Sequence, residues 1–242
     1  MSSLWVFGYG SLVWRPGFDY TESKIGYISG FSRRFWQGSD VHRGTTEKLG
    51  RVVTLTENEK EDTWGRAFRM NDEQVSRAYL DNREASEGGY ATRITKFIPL
   101  DPKEEPFAVL VYIALPSNPL YLGPTSITKI AKDIAECSGT CGPNVEYLAK
   151  LAAFMRLNVP HVWDEHLFTL ESLVKMYLLE RNSNELLNYF EAAVIEDKDM
   201  TLEYWSKANK FENDTEPVSP NVVQTMHFAD LVPSRSLRCV KK

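Results

Sequence analysis

Two stretches carry residue types that could do chemistry. The first is Val6-Phe7-Gly8-Tyr9-Gly10-Ser11. An apolar run, Leu4 to Phe7, reads as a buried strand and ends abruptly in Gly-Tyr-Gly-Ser. Two glycines around one aromatic let the backbone turn sharply and bring its N–H groups close to a small polar or anionic group. Ser11 adds a hydroxyl that donates and accepts. The turn is not a dinucleotide fingerprint, because Val13 stands where a third glycine would be, and no Gly-Lys-Ser/Thr follows. The second stretch is Arg83-Glu84 followed by Gly88-Gly89-Tyr90. A carboxylate there, at a junction between a helix and a strand, can face a pocket and move a proton. Read singly, each stretch has a plain alternative: a tight turn for the first, a solvated helix end for the second.

The elements that must position these groups follow from the patterning. Ile25 to Gln37 alternates loosely, as a strand pair or one bent strand. Arg51 to Thr56 is a β-branched strand, Glu57 to Asp62 a charged turn, and Thr63 to Met70 its antiparallel partner. Asn71 can cap a helix that runs to about Asn82–Glu84. Tyr90 to Leu100 alternates as a strand, and the apolar run Phe107 to Leu115 reads as a central strand covered on both faces. After Pro116, helical spacing governs Ile127–Cys137, Val145–Leu157 and Asp164–Leu179. Weaker helical signals cover Leu186–Val194 and Leu202–Phe211, and Glu212–Asn221 has the composition of a disordered segment. The expected fold class is α+β, a curved mixed sheet or small β-barrel with packed helices. The expected division is a domain over 1–181 and a C-terminal extension over 182–242.

Composition narrows the partners. The 242 residues are long enough for a substantial core, and 33 acidic against 28 basic residues argue against nucleic acid. Three cysteines, Cys137, Cys141 and Cys239, suit a reducing compartment and read as small, partly buried thiols. The four histidines offer no metal spacing, so no metal and no cofactor is expected. The N-terminus shows no signal peptide pattern and no run approaches the ~20 apolar residues of a membrane span. A cytoplasmic, non-membrane protein is expected.

Taken together, the motifs resemble the ChaC family of γ-glutamylcyclotransferases. The resemblance runs through Val6–Trp14, Arg33-Arg34-Phe35-Trp36-Gln37-Gly38, His42-Arg43-Gly44-Thr45 and Gly50–Leu55. It continues through Tyr79-Leu80-Asp81 with Arg83-Glu84, Gly88-Gly89-Tyr90, Asn118–Pro124 and Asn144–Leu148, covering about Leu4 to Leu178. It implies cleavage of glutathione to 5-oxoproline and cysteinylglycine. It implies that Val6, Phe7, Gly8, Tyr9, Gly10 and Ser11 hold the γ-glutamyl moiety, with Tyr121 lining the pocket. Glu84 would be the acid/base group, with Glu87 as a register alternative. Arg43 would be a solvated loop charge or a partner for a carboxylate. Arg33-Arg34 reads as a surface pair or a contact for the glycine carboxylate. Two rival readings remain at this level: a cyclotransferase for other γ-glutamyl amines, and a non-catalytic glutathione-pocket binding module.

Overall fold

The computed structural model describes residues 4–70 and 89–211. The helix expected from Asn71, together with Glu84 and Glu87, lies outside the described residues. Five strands close into a barrel in the order β1 (Trp5–Gly8), β3 (Gly50–Arg69), β2 (Glu22–Ser39), β4 (Tyr90–Pro99) and β5 (Phe107–Ala114). β1 runs antiparallel to β3 and parallel to β5, which closes the barrel through Val6 and Leu110.

The long β2–β3 ribbon departs from the sequence expectation. Arg51–Thr56 and Thr63–Arg69 do not pair with each other; they are two halves of one strand, and both pair with β2. Ile25 sits opposite Arg66, and Arg34 opposite Thr54. The charged residues between those halves are the exposed part of an uninterrupted strand, not a turn. β2 is one bent strand, and its register shifts between Ser29 and Phe31, beside Gly30 at φ +88°.

The barrel interior is filled by Phe7, Ile28, Leu55, Phe97, Val109 and Val111, among others. Its outer side carries Phe35 and Val53 against the helical layer. That layer comprises α1 (Ile127–Glu136), α2 (Asn144–Asn158), α3 (Glu165–Glu180) and α4 (Asn184–Phe211), with two-residue strands β6 (Ser138–Gly139) and β7 (Gly142–Pro143) between α1 and α2. Ser126 and Asp164 cap α1 and α3 by accepting from the Lys129 and Leu167 amides. The two short helical signals after Leu186 prove to be one continuous helix, α4, whose Phe190 and Ala193 join the same core as α2 and α3. Of the two described cysteines, Cys137 is buried, donating to the Leu49 carbonyl, and Cys141 is exposed.

One side chain fastens the helical layer to the barrel. Asn144, fully buried at the start of α2, accepts from the Arg51 amide at 2.5 Å and donates to the Arg51 carbonyl at 2.8 Å. Asn144→Ala leaves two buried backbone groups of β3 unpaired. The expected loss is about 3 kcal/mol of stability, read as a fall of about 10 °C in Tm. A change under about 2 °C would show that the clamp is dispensable.

Candidate active site

The Gly-Tyr-Gly-Ser turn lies where β1 ends, beside the end of β5 and the start of β4. Val6, Phe7 and Gly8 are buried strand residues, and Phe7 points into the barrel. Alternation along the strand sends the Phe7 side chain into the core, so what this strand presents to the turn is backbone. Ser11 is exposed at the rim and opens a single 3-10 turn, Ser11–Val13.

Tyr9 reaches across the barrel end. Its hydroxyl donates to the Tyr112 carbonyl at 2.7 Å and meets the Thr54 side chain. Thr54 in turn donates to the Ala114 carbonyl at 3.1 Å, so the turn is tied to the last residues of β5. Burial drives the Tyr9 phenol far above its ordinary value, and it stays protonated at neutral pH.

Gly10 marks the closest approach between the turn and the helical layer. A Cβ there would lie 2.6 Å from the Tyr147 hydroxyl oxygen and 2.8 Å from Val53 Cγ2. The Tyr147 oxygen accepts from the Val53 amide at 3.4 Å and from the Ser11 amide. Burial, the largest influence, pushes its pKa up to about 12 against those bonds. A neutral phenol that accepts from the Val53 amide keeps its own proton to donate. The Ser11 amide, expected among the donors of the turn, is thus turned toward Tyr147. Tyr147 belongs to the Asn144–Leu148 motif, but nothing in that motif marks its contact with Val53, 94 residues away.

Tyr121 is half-buried on the same side of the fold. It bridges to Gln37, and the Leu122 and Gly123 amides both donate to the Trp36 carbonyl. Gln37 pairs with Val52, the neighbour of Val53, and so connects Tyr121 to the turn. Gln37 Nε2 also donates to Asn118 Oδ1 at 3.2 Å. Asn118 packs on Gly89, which holds φ +79° and where a Cβ would come within 2.5 Å of Asn118 Cα. Gly89 also accepts from the Leu115 amide at 2.8 Å. The described chain therefore resumes at the end of the barrel that holds the Gly-rich turn.

Strand alternation separates the paired arginines. Arg34 faces outward to Glu61 at 3.1 Å, whereas Arg33 is 2% exposed, contrary to the expectation of a surface pair. Arg43 is also buried, donating to Glu146 at 2.5 Å and to the Pro143 carbonyl at 2.9 Å. Burial raises the Glu146 carboxyl, yet Arg43 and Lys150 more than offset it, so Glu146 stays ionised and pairs with Arg43. His166 accepts from the Phe35 amide at 3.1 Å, and burial holds it down to about 4, a packed neutral ring. Among the described residues no three His, Cys, Asp or Glu side chains are grouped as a metal site would need.

A family model described as ChaC-like protein matches residues 4–177. The chain belongs to the ChaC-like family. A Danio rerio ChaC-like relative, glutathione-specific γ-glutamylcyclotransferase 1, is 53% identical over 173 residues, covering 71% of this chain and 88% of its own. The Homo sapiens protein of the same name is 52% identical over 167 residues, covering 68% and 75%. A crystal structure of a γ-glutamyl cyclotransferase specific to glutathione from yeast superposes with a TM-score of 0.63 at 29% identity, covering 73% of this chain and 97% of that one. The ChaC-like fold is thus the α+β barrel with packed helices anticipated from the sequence. No described helix is long and apolar enough to cross a membrane.

Proposed function

We propose that this chain is a glutathione-specific γ-glutamylcyclotransferase. Family membership supports the reaction class, and the observation that carries the placement is the Gly10 turn pressed against the Tyr147 phenol at the end of the barrel to which the chain returns at Gly89. The γ-glutamyl α-amine attacks its own side-chain carbonyl carbon. A new C–N bond closes the five-membered ring, the amide C–N bond to cysteine breaks, and the products are 5-oxoproline and cysteinylglycine. Because nucleophile and electrophile share one molecule, orienting them supplies much of the catalysis.

Two costs remain for the protein. The α-amine has a pKa near ~8, so about nine in ten molecules are ammonium at pH 7, a cost of ~1.4 kcal/mol. The attacking nitrogen must then lose a proton while the leaving nitrogen gains one. Glu84 serves as the shuttle between them, and it is separated by only four residues from the anchored Gly89. The turn from Val6 to Ser11 cradles the γ-glutamyl end, Tyr121 lines the pocket, and the phenol proton of Tyr147 is offered to the oxyanion. The catalytic domain spans residues 1–181, the remainder being an extension whose first turns buttress α2. The protein acts in the cytoplasm on a small-molecule substrate.

Purified protein given reduced glutathione should release 5-oxoproline and cysteinylglycine in equal amounts. Release from γ-glutamyl-alanine should be at least tenfold slower in kcat/KM. Absence of 5-oxoproline, or preference for the dipeptide, would overturn the assignment.

A further inference from the structure

Gln37 is 3% exposed, and only half of its amide is engaged. Nε2 donates to Asn118 Oδ1 at 3.2 Å and to the Gly38 carbonyl at 3.4 Å, whereas Oε1 meets no donor. The orientation is fixed from outside. The Leu120 amide donates to Asn118 Oδ1 at 2.9 Å, so that atom is the oxygen, and the Gln37 atom facing it must be the nitrogen. The buried amide of Asn144, by contrast, is paired at both ends. A buried acceptor without a donor is costly, and an apolar side chain of the same length would fill the volume without that cost. The Gln37 amide also lies where the turn is tied down. Tyr9 donates to the Tyr112 carbonyl at 2.7 Å, Thr54 to the Ala114 carbonyl at 3.1 Å, and the Asn118 amide to the Leu115 carbonyl at 2.9 Å. The Gly-rich turn and the Gln37 side chain thus converge by hydrogen bonds on one stretch, Tyr112 to Asn118. The Gln37 backbone is flanked there by Val52 of β3 and by Tyr121.

We propose that Gln37 orients the attacking α-amine, its Oε1 accepting one N–H so that the nitrogen lone pair faces the side-chain carbonyl carbon. The inference rests on the functional reading above and deepens it. A carboxylate against the amine would hold it as unreactive ammonium, whereas a neutral oxygen orients it without adding negative charge. The protons balance. The neutral amine brings two hydrogens to the new C–N bond; Glu84 carries one to the leaving nitrogen, and the other stays on the lactam nitrogen, still bonded to Oε1.

The test pairs the residue with the substrate group. Deamino-glutathione, with hydrogen in place of the α-amine, cannot cyclise and reports binding alone by calorimetry. Gln37→Met should lower kcat/KM for glutathione by about 30-fold while the Kd of the deamino analogue stays within about twofold of wild type. Parallel weakening of the analogue, as a merely structural role would give, overturns the proposal, and so does retention of more than about a third of the activity. Gln37→Glu should move the acid limb of the kcat–pH profile upward by about one pH unit, because the new carboxylate holds the amine as ammonium. An unmoved limb overturns the proposal, and this variant decides if Gln37→Met fails to fold. If wild-type protein releases no 5-oxoproline, the reaction assignment falls and glutathione becomes a stable ligand. Gln37 then stands if Gln37→Met weakens glutathione at least ~10-fold with the analogue unchanged, and falls if both weaken alike.

Discussion

Glu84→Gln should abolish turnover of glutathione, lowering kcat by about 10³-fold, within the range that positioned acid/base groups contribute. The substitution keeps size and hydrogen-bonding capacity but removes the ability to take and return a proton. Ring closure cannot finish without that traffic, since the leaving amine would depart as an amide anion. Binding of glutathione should stay within about threefold of wild type, and Tm within about 2 °C, because Gln has nearly the shape of Glu. Glu87→Gln should retain at least half of the activity. If the Glu87 variant is the dead one, the register of the motif shifts by three residues. If both variants remain active, the shuttle lies elsewhere.

Gly10→Val should cost at least ~100-fold in kcat/KM. The first added carbon already meets the Tyr147 oxygen at 2.6 Å and Val53 Cγ2 at 2.8 Å, and two methyl groups follow it. Val53 is held in β3 and Tyr147 in a fully packed helix, so the turn is what moves. A displacement of about 1 Å at a group that orients substrate is worth such a factor. Removing the phenol oxygen in a Gly10→Val/Tyr147→Phe double variant should restore part of the lost Tm without restoring activity. Full activity in Gly10→Val alone would show that the turn is not the cradle.

Much of this was legible from the chain. β4 was visible as a period-two pattern, β5 as a continuous apolar run and the three helices after Pro116 as helical spacing, because each packs against a large core. The β2–β3 ribbon was not, since its charged middle, Glu57 to Asp62, is solvated strand with the composition of a turn. Arg33 and Arg34 are indistinguishable in sequence, and only the pleat decides which one is buried. The Gly-rich turn announced itself, whereas Tyr147 did not. Its contact with Gly10 depends on how a helix settles on a strand, a tertiary fact that local periodicity does not encode.

The amide of Asn144 grips β3 one helical turn before the Tyr147 phenol reaches the Gly10 bend. Such an arrangement fixes both the roll and the slide of the helix at its first residue, so three positions later the hydroxyl has no freedom of its own. Loosening of the helical layer and disarming of the pocket are consequently one event. Heat should extinguish activity along the same curve that reports exchange of the Arg51 amide with solvent.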